Sequence, residues 1–263
     1  MTRSLFGDLY ASLRKPEFWA LSTWLDIVVK YRQSRLGIVW LLMPAVIYIW
    51  GLGAFFAAMQ HAQLVHFAAH VGLGYIVFRA INAVIIESTT AFLSSSAFIL
   101  DGHLRLTDFV LRVVAKALFY FAMALPVVAL ALAVYPGMVW GNVVLGALSL
   151  PLIVLNCMWI AVLFALVGAR FPDLSQFIGN VFMFAFLLTP IIWYADSVPP
   201  ESVRGMFMRL NPLFHMVEVV RAPILGETVE LTSFYYLGVM TLVGWGLAAY
   251  FYRRYARFVP LWV

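Results

Sequence analysis

From Ala117 to Ala169 the chain carries no Asp, Glu, Lys or Arg. A run of that length can keep its backbone polar groups out of hydrocarbon as helix, and about 20 apolar residues make one crossing. Tyr135-Pro136-Gly137 interrupts it, which divides the run into two crossings joined by a turn. The chain is therefore expected to be an all-α integral membrane protein. Composition agrees: charged residues are 11% and hydrophobic residues 64%, where a soluble domain carries roughly 25% charged residues.

The formal charge of +5 needs a location. In a multi-pass protein that location is the cytoplasmic rim. No basic face with interleaved aromatics stands outside the spans, so nucleic-acid binding is not expected. The single cysteine, Cys157, lies in an apolar run and excludes an internal disulfide and a Cys-based metal cage. Arg3, Asp8, Arg14 and Lys15 break up the N-terminus, unlike the apolar core of a signal peptide.

Direction comes from the stretch Tyr31 to Pro44. Lys30, Arg32 and Arg35 stand on one side, and after Gly37 no charge appears until beyond Met59. A basic cluster at the end of a span stays cytoplasmic. Residues 1–16 read as polar and cytoplasmic. Pro16-Glu17 is a good helix start, and Leu21, Trp24, Leu25 and Val28 then recur at helical spacing. Residues 17–35 read as an amphipathic helix lying in the interface. Six crossings follow, at 38–58, 71–93, 109–134, 142–167, 174–194 and 234–252, with both termini inside. On this topology 13 Lys and Arg lie inside or at span ends, three lie outside, and Arg79 alone lies within a span.

His61, His66 and His70 fall in the first outer loop, with no carboxylate beside them, and read as solvated loop histidines rather than a metal site. The second crossing carries Arg79, Asn82 and Glu87. Eight residues separate Arg79 from Glu87, so they project about 80° apart and about 12 Å along the axis. Each is expected to meet another helix or a transport path, and both readings stay open. The segment 94–108 holds the turn Asp101-Gly102, then Leu104 and Arg105, and is a connecting loop or a partner's docking point. Residues 195–232 hold two short helical patterns split by Asn211-Pro212. Each is too short to cross, which suggests paired re-entrant or interfacial helices forming an outer gate.

Two aromatic stripes stand out. Phe182, Phe186 and Trp193 fall within about 40° of one another on an ideal helix. Tyr48 and Phe55 are seven apart and share a face. With Arg79 and Tyr194 they are candidate channel-lining residues, and the alternative is plain packing. The lysines Lys15, Lys30 and Lys116 precede Pro, Tyr and Ala, so no Walker loop is present. No nucleophile elbow or His-Glu-x-x-His motif appears either. A transport pathway rather than an enzyme is expected, with no cofactor on this chain. An ion-gradient-driven transporter, suggested by Arg79, Asn82 and Glu87, and a structural scaffold are the other classes.

Three motifs resemble one family. Lys30-Tyr31-Arg32-Gln33-Ser34-Arg35-Leu36-Gly37-Ile38-Val39-Trp40 is similar to its basic run, Leu-Gly turn and Trp. Thr189-Pro190-Ile191-Ile192-Trp193-Tyr194 with Val198-Pro199 is the second match. Leu210-Asn211-Pro212-Leu213-Phe214 followed by Glu218-Val219-Val220-Arg221 is the third. Together they resemble the permease subunit of type-2 ABC exporters, in the branch that moves lipid-linked polysaccharide. The tail, 255–262, is closest to the O-antigen exporters, with capsule and teichoic-acid exporters the alternatives. The resemblance implies a homodimer in the bacterial inner membrane with two copies of a separate ATPase, which carries ATP and Mg. It implies a polyprenyl-pyrophosphate-linked polysaccharide as cargo. The entrance would be Lys30, Arg32, Arg35, Leu36 and Gly37, and the ATPase contact Asp101, Gly102, Leu104 and Arg105. The short helices after Tyr194 would gate the outer face.

Overall fold

The computed structural model describes residues 4–32, 34–59, 61, 63–136 and 139–263. Gln33 of the basic run and Gly137 of the interrupting turn lie outside these. All regular structure among the described residues is helical. Two helices precede the first crossing, α1 (Leu5–Arg14) and α2 (Glu17–Arg32). The first crossing, Gly37–Met59, is composite. A 3-10 turn (Gly37–Leu41) leads into α3 (Met43–Val46), a π-helical turn (Ile47–Leu52) and α4 (Gly53–Met59).

Next come α5 (Leu64–Thr90), α6 (Ser96–Asp101) and α7 (Leu106–Ala133). A bend at Ser149 separates α8 (Trp140–Leu148) from α9 (Leu150–Arg170). The chain ends with α10 (Leu174–Leu188), α11 (Val203–Leu210), α12 (Pro212–Leu225), α13 (Leu231–Tyr255) and α14 (Val259–Trp262).

Among the described residues five segments are long and apolar enough to cross a membrane: Gly37–Met59, Leu64–Thr90, Leu106–Ala133, Gly141–Arg170 and Leu231–Trp262. The expected fifth crossing, 174–194, is helical only to Leu188, 15 residues. Pro190 accounts for the early stop. The residue before proline is pushed out of the helical region, and Thr189 is extended, at φ −84° and ψ 133°.

Helix α5 is the hub. It packs against α7, α9, α12, α4 and α10, and 72% of its most apolar window is buried against 17% for the last span. It starts at Leu64, seven residues before the expected crossing, so His66 and His70 lie on a helix instead of in a loop. His70 is buried, which corrects the expectation of a solvated histidine.

The polar N-terminal segment also holds more order than its composition suggests. Leu5 is buried, Ser12 pairs with Thr107 across 2.7 Å, and the Tyr252 hydroxyl donates to Asp8 at 2.7 Å. In α2 the stripe Leu21, Trp24 and Leu25 faces outward, while Thr23 and Ile27 face the protein. An apolar stripe turned away from the protein is what an interfacial helix presents to lipid. Val203, Met206, Phe207 and Leu210 of α11 likewise face outward.

Candidate functional site

At the end of the bundle where α2 lies, Lys30, Arg32 and Arg35 are exposed and make no ion pair among the described residues. The Lys30 ammonium stands 5.7 Å from the ring centres of both Tyr31 and Tyr120. Partial burial raises the Tyr31 pKa. Leu36 is exposed, and Gly37 turns the chain in the left-handed region at φ +53°. A side chain there would be strained, so the Leu36-Gly37 pair forms a sharp corner between α2 and the first crossing.

Behind this corner lies a polar cavity of about 390 Å³ between α2, α5 and α7. Two ion pairs line it. Arg112 donates to Asp26 through Nε at 2.8 Å and Nη2 at 2.6 Å, a bidentate pair. Lys116 holds Glu87. Glu87 therefore meets α7, one of the two outcomes the sequence leaves open for it.

Deeper along α5 an aromatic cleft of about 410 Å³ opens between the first crossing, α5 and α10. Four candidates from the sequence line it: Tyr48, Arg79, Phe182 and Phe186. The π-helical turn, in which the Gly53 N–H reaches back five residues to Tyr48 O, carries Tyr48. Tyr48 stacks on Tyr75 with centroids 4.2 Å apart and planes at 12°, and meets Phe186 edge-on at 5.9 Å. Phe78 meets Phe182 at 5.7 Å and Phe186 at 5.4 Å.

The remaining lining residues are Tyr75, Phe78, Asn82, Gly179 and Met183. They complete two stripes of spacing i, i+3, i+4, i+7: Tyr75, Phe78, Arg79, Asn82 on α5, and Gly179, Phe182, Met183, Phe186 on α10. Both stripes are visible in the sequence. As lining residues, sequence reasoning missed three of the four on α5 and two of the four on α10, because it followed the aromatics of one helix rather than the face around Arg79.

Phe55, Trp193 and Tyr194 stand elsewhere. The π-helical turn that carries Tyr48 ends before Phe55 and shifts their register, so Phe55 is exposed and rests on Phe56. Trp193 lies past the helix end. Its Nε1 donates to Leu187 O at 3.1 Å, and the Arg204 guanidinium covers its ring at 4.3 Å. Tyr194 packs on Phe67 and His70.

The same end of the bundle holds a buried knot. Arg221, 1% exposed, donates Nη1 to Pro190 O and Nη2 to Glu218 Oε2 at 2.6 Å. The same Nη1 lies 3.1 Å from His70 Nε2, and that nitrogen is 3.2 Å from Trp193 O. The knot thus ties α12 to α5 and to the non-helical stretch after Leu188.

Nearby, Asn211 caps α12 through Leu213 N at 3.0 Å and donates Nδ2 to Thr189 at 3.0 Å. His215 sits between Ser233 Oγ (2.9 Å) and Arg209 O (2.7 Å). A carbonyl only accepts, so Nε2 carries the proton and Nδ1 accepts from Ser233. Burial lowers the His215 pKa, which favours that neutral form. The Arg209 guanidinium, 2.7 Å from Glu230, lowers that carboxyl's pKa.

Around the proposed partner contact, Asp101 and Gly102 are exposed, with Gly102 left-handed at φ +77°. Leu104 and Arg105 are half-buried, and the Arg105 N–H donates to Asp108 Oδ2 at 2.9 Å. Phe98 and Leu100 of α6 are exposed beside them.

No family model matches the chain. It is 22% identical over 230 residues to the O-antigen export system permease protein RfbA of Klebsiella pneumoniae, which covers 83% of this chain and 86% of that protein. It is 32% identical over 108 residues to the polysialic acid transport protein KpsM of Escherichia coli, 40% of this chain and 41% of that one. The likeness is one of distant homology, to permeases of the ABC-2 type.

Proposed function

We propose that this distant homologue of polysaccharide-export permeases is the membrane subunit of an ATP-driven exporter of lipid-linked polysaccharide in a bacterial inner membrane. The reading rests on the aromatic cleft, which lies inside a helical bundle whose homology to an O-antigen permease spans most of the chain. Sugar rings carry apolar C–H faces that lie well on aromatic rings. O-antigen is preferred over capsule and teichoic acid because the longer match is to an O-antigen permease.

In this reading the chain crosses six times with both termini inside, and α10 is the fifth crossing. The single domain of 263 residues works as a pair of copies with two copies of an ATPase, which holds the ATP and Mg. Asp101, Gly102, Leu104 and Arg105 meet that ATPase. Lys30, Arg32, Arg35, Leu36 and Gly37 form the entrance, where exposed guanidinium groups suit a lipid pyrophosphate. Tyr48, Arg79, Phe182 and Phe186 line the path. Phe55, Trp193 and Tyr194 join it nearer the outer face, where 195–232 form the gate.

The ion-driven alternative gains nothing from Glu87, whose carboxylate Lys116 holds. Purified alone, the chain should hydrolyse no ATP, and from native membranes it should co-purify with a soluble nucleotide-binding subunit. Transport that persists in energised vesicles depleted of ATP would overturn the reading.

The entrance has its own test. Arg32→Ala with Arg35→Ala should cut export at least about tenfold, the worth of roughly 1.4 kcal/mol. Membrane insertion should be unchanged, because Lys30 remains and the spans are untouched. Surface polysaccharide measured against membrane content of the protein gives the ratio, and undiminished export would remove these residues from the entrance.

A further inference from the structure

We propose that the aromatic cleft takes an acidic, carboxylate-bearing glycan, and that Arg79 selects it. The inference rests on the reading of the cleft as a glycan path and adds the charge of the cargo. Arg79 lies about 22 Å along α5 from Leu64, deep within the span, where a charge is costly and needs a counter-charge. Neither carboxylate of the neighbouring polar cavity serves, since Glu87 is held by Lys116 and Asp26 by Arg112. Among the described residues Arg79 makes no ion pair. The Tyr75 hydroxyl is within its reach, but Nη1 has no hydrogen-bond partner.

Asn82, one turn further on the same face, repeats the pattern: its Oδ1 is buried and has no partner among the described residues. A donor and an acceptor are thus left open one helical turn apart, and both residues line the cleft with the rings of Tyr48, Tyr75 and Phe186. A guanidinium takes a carboxylate by two parallel hydrogen bonds. An amide oxygen accepts from a hydroxyl, and the rings carry the sugar's apolar face. A sugar with a carboxylate and neighbouring hydroxyls offers all three. The cleft, about 410 Å³, lies in the range of small-ligand pockets. Both open atoms are covered in this conformation, so the two side chains turn outward when the sugar enters.

The test measures binding of three probes to the purified full-length protein in nanodiscs: hexagalacturonate, maltohexaose and inorganic pyrophosphate. The acidic hexamer should bind at least tenfold more tightly than the neutral one at low salt, with the ratio falling as salt rises. Arg79→Gln should bring the ratio near one, Arg79→Lys should keep part of it, and Phe186→Ala should weaken both hexamers alike. The melting temperature of Arg79→Gln should match or exceed that of the wild type, because an uncompensated charge is removed. A purely structural arginine would lower it.

Equal binding of the two hexamers, or a preference that survives Arg79→Gln, would overturn the proposal and leave the glycan path standing. Pyrophosphate displacing hexagalacturonate at equal concentration would also overturn it, in favour of a phosphate site. If neither hexamer binds, the glycan path itself fails and the charge preference with it.

Discussion

Arg221→Leu should destabilise the protein by about 3–5 kcal/mol, the usual result of removing one partner of a buried ion pair. Its effect is larger than that of any surface charge, because the guanidinium is 1% exposed and three groups depend on it. Glu218 would lose its counter-charge, the Pro190 carbonyl would lose its donor, and His70 Nε2 would lose a neighbour 3.1 Å away. Unfolding in detergent, followed by tryptophan fluorescence, should show a midpoint lowered by about 10 °C.

Adding Glu218→Gln to Arg221→Leu should recover part of the loss, since no uncompensated carboxylate remains. Arg221→Lys should fall between, keeping the charge without the fork that reaches Pro190 and Glu218 together. A midpoint unchanged in Arg221→Leu would show that the knot does not hold α12 to α5.

Gly168→Ala is expected to cost about 1–3 kcal/mol through overpacking, and to fall at the upper end of that range. A methyl at Gly168 would overlap the carbonyl oxygen of Thr89, which is backbone and cannot turn aside. Here α9 and α5 touch main chain to main chain, the close approach that small residues permit in membranes. Alanine's better helix propensity, worth about 1 kcal/mol, offsets part of this. Gly168→Val should not yield folded protein.

Gly238 in α13 supplies the control. A methyl there meets nothing within 4 Å, so Gly238→Ala should be neutral or stabilising by up to about 1 kcal/mol. Equal melting of the two alanine variants would refute the close contact.

These two sites show which parts of the molecule its sequence discloses. Charge-free runs and basic ends are local signals, and they were enough to identify a helical membrane protein, in which five segments among the described residues are long and apolar enough to cross. Arg79, Phe182 and Phe186 meet in one cleft because they lie on regular helices, where spacing converts directly to direction.

Trp193 and Phe55 were placed on the same ideal helices and left them for different reasons. Pro190 ends α10 before Trp193 is reached. The π-helical turn Ile47–Leu52 leaves no trace in composition. The burial of His70 and Arg221 depends on α12 folding back against α5, a long-range contact that no spacing announces. Helix α1 was hidden for a similar reason, since its partners Thr107 and Tyr252 lie far along the chain.

The early stop of α10 leaves a helix too short for an ordinary crossing. Fifteen residues of helix rise about 22 Å, short of the ~30 Å of hydrocarbon. The chain beyond it is irregular, which membranes tolerate only where protein shields the backbone or water reaches it. Arg221 and Asn211 do the shielding at Pro190 and Thr189. On the proposed six-crossing path α10 would fall short of the hydrocarbon by about 8 Å, and a polymer threading past it would regain water that much sooner.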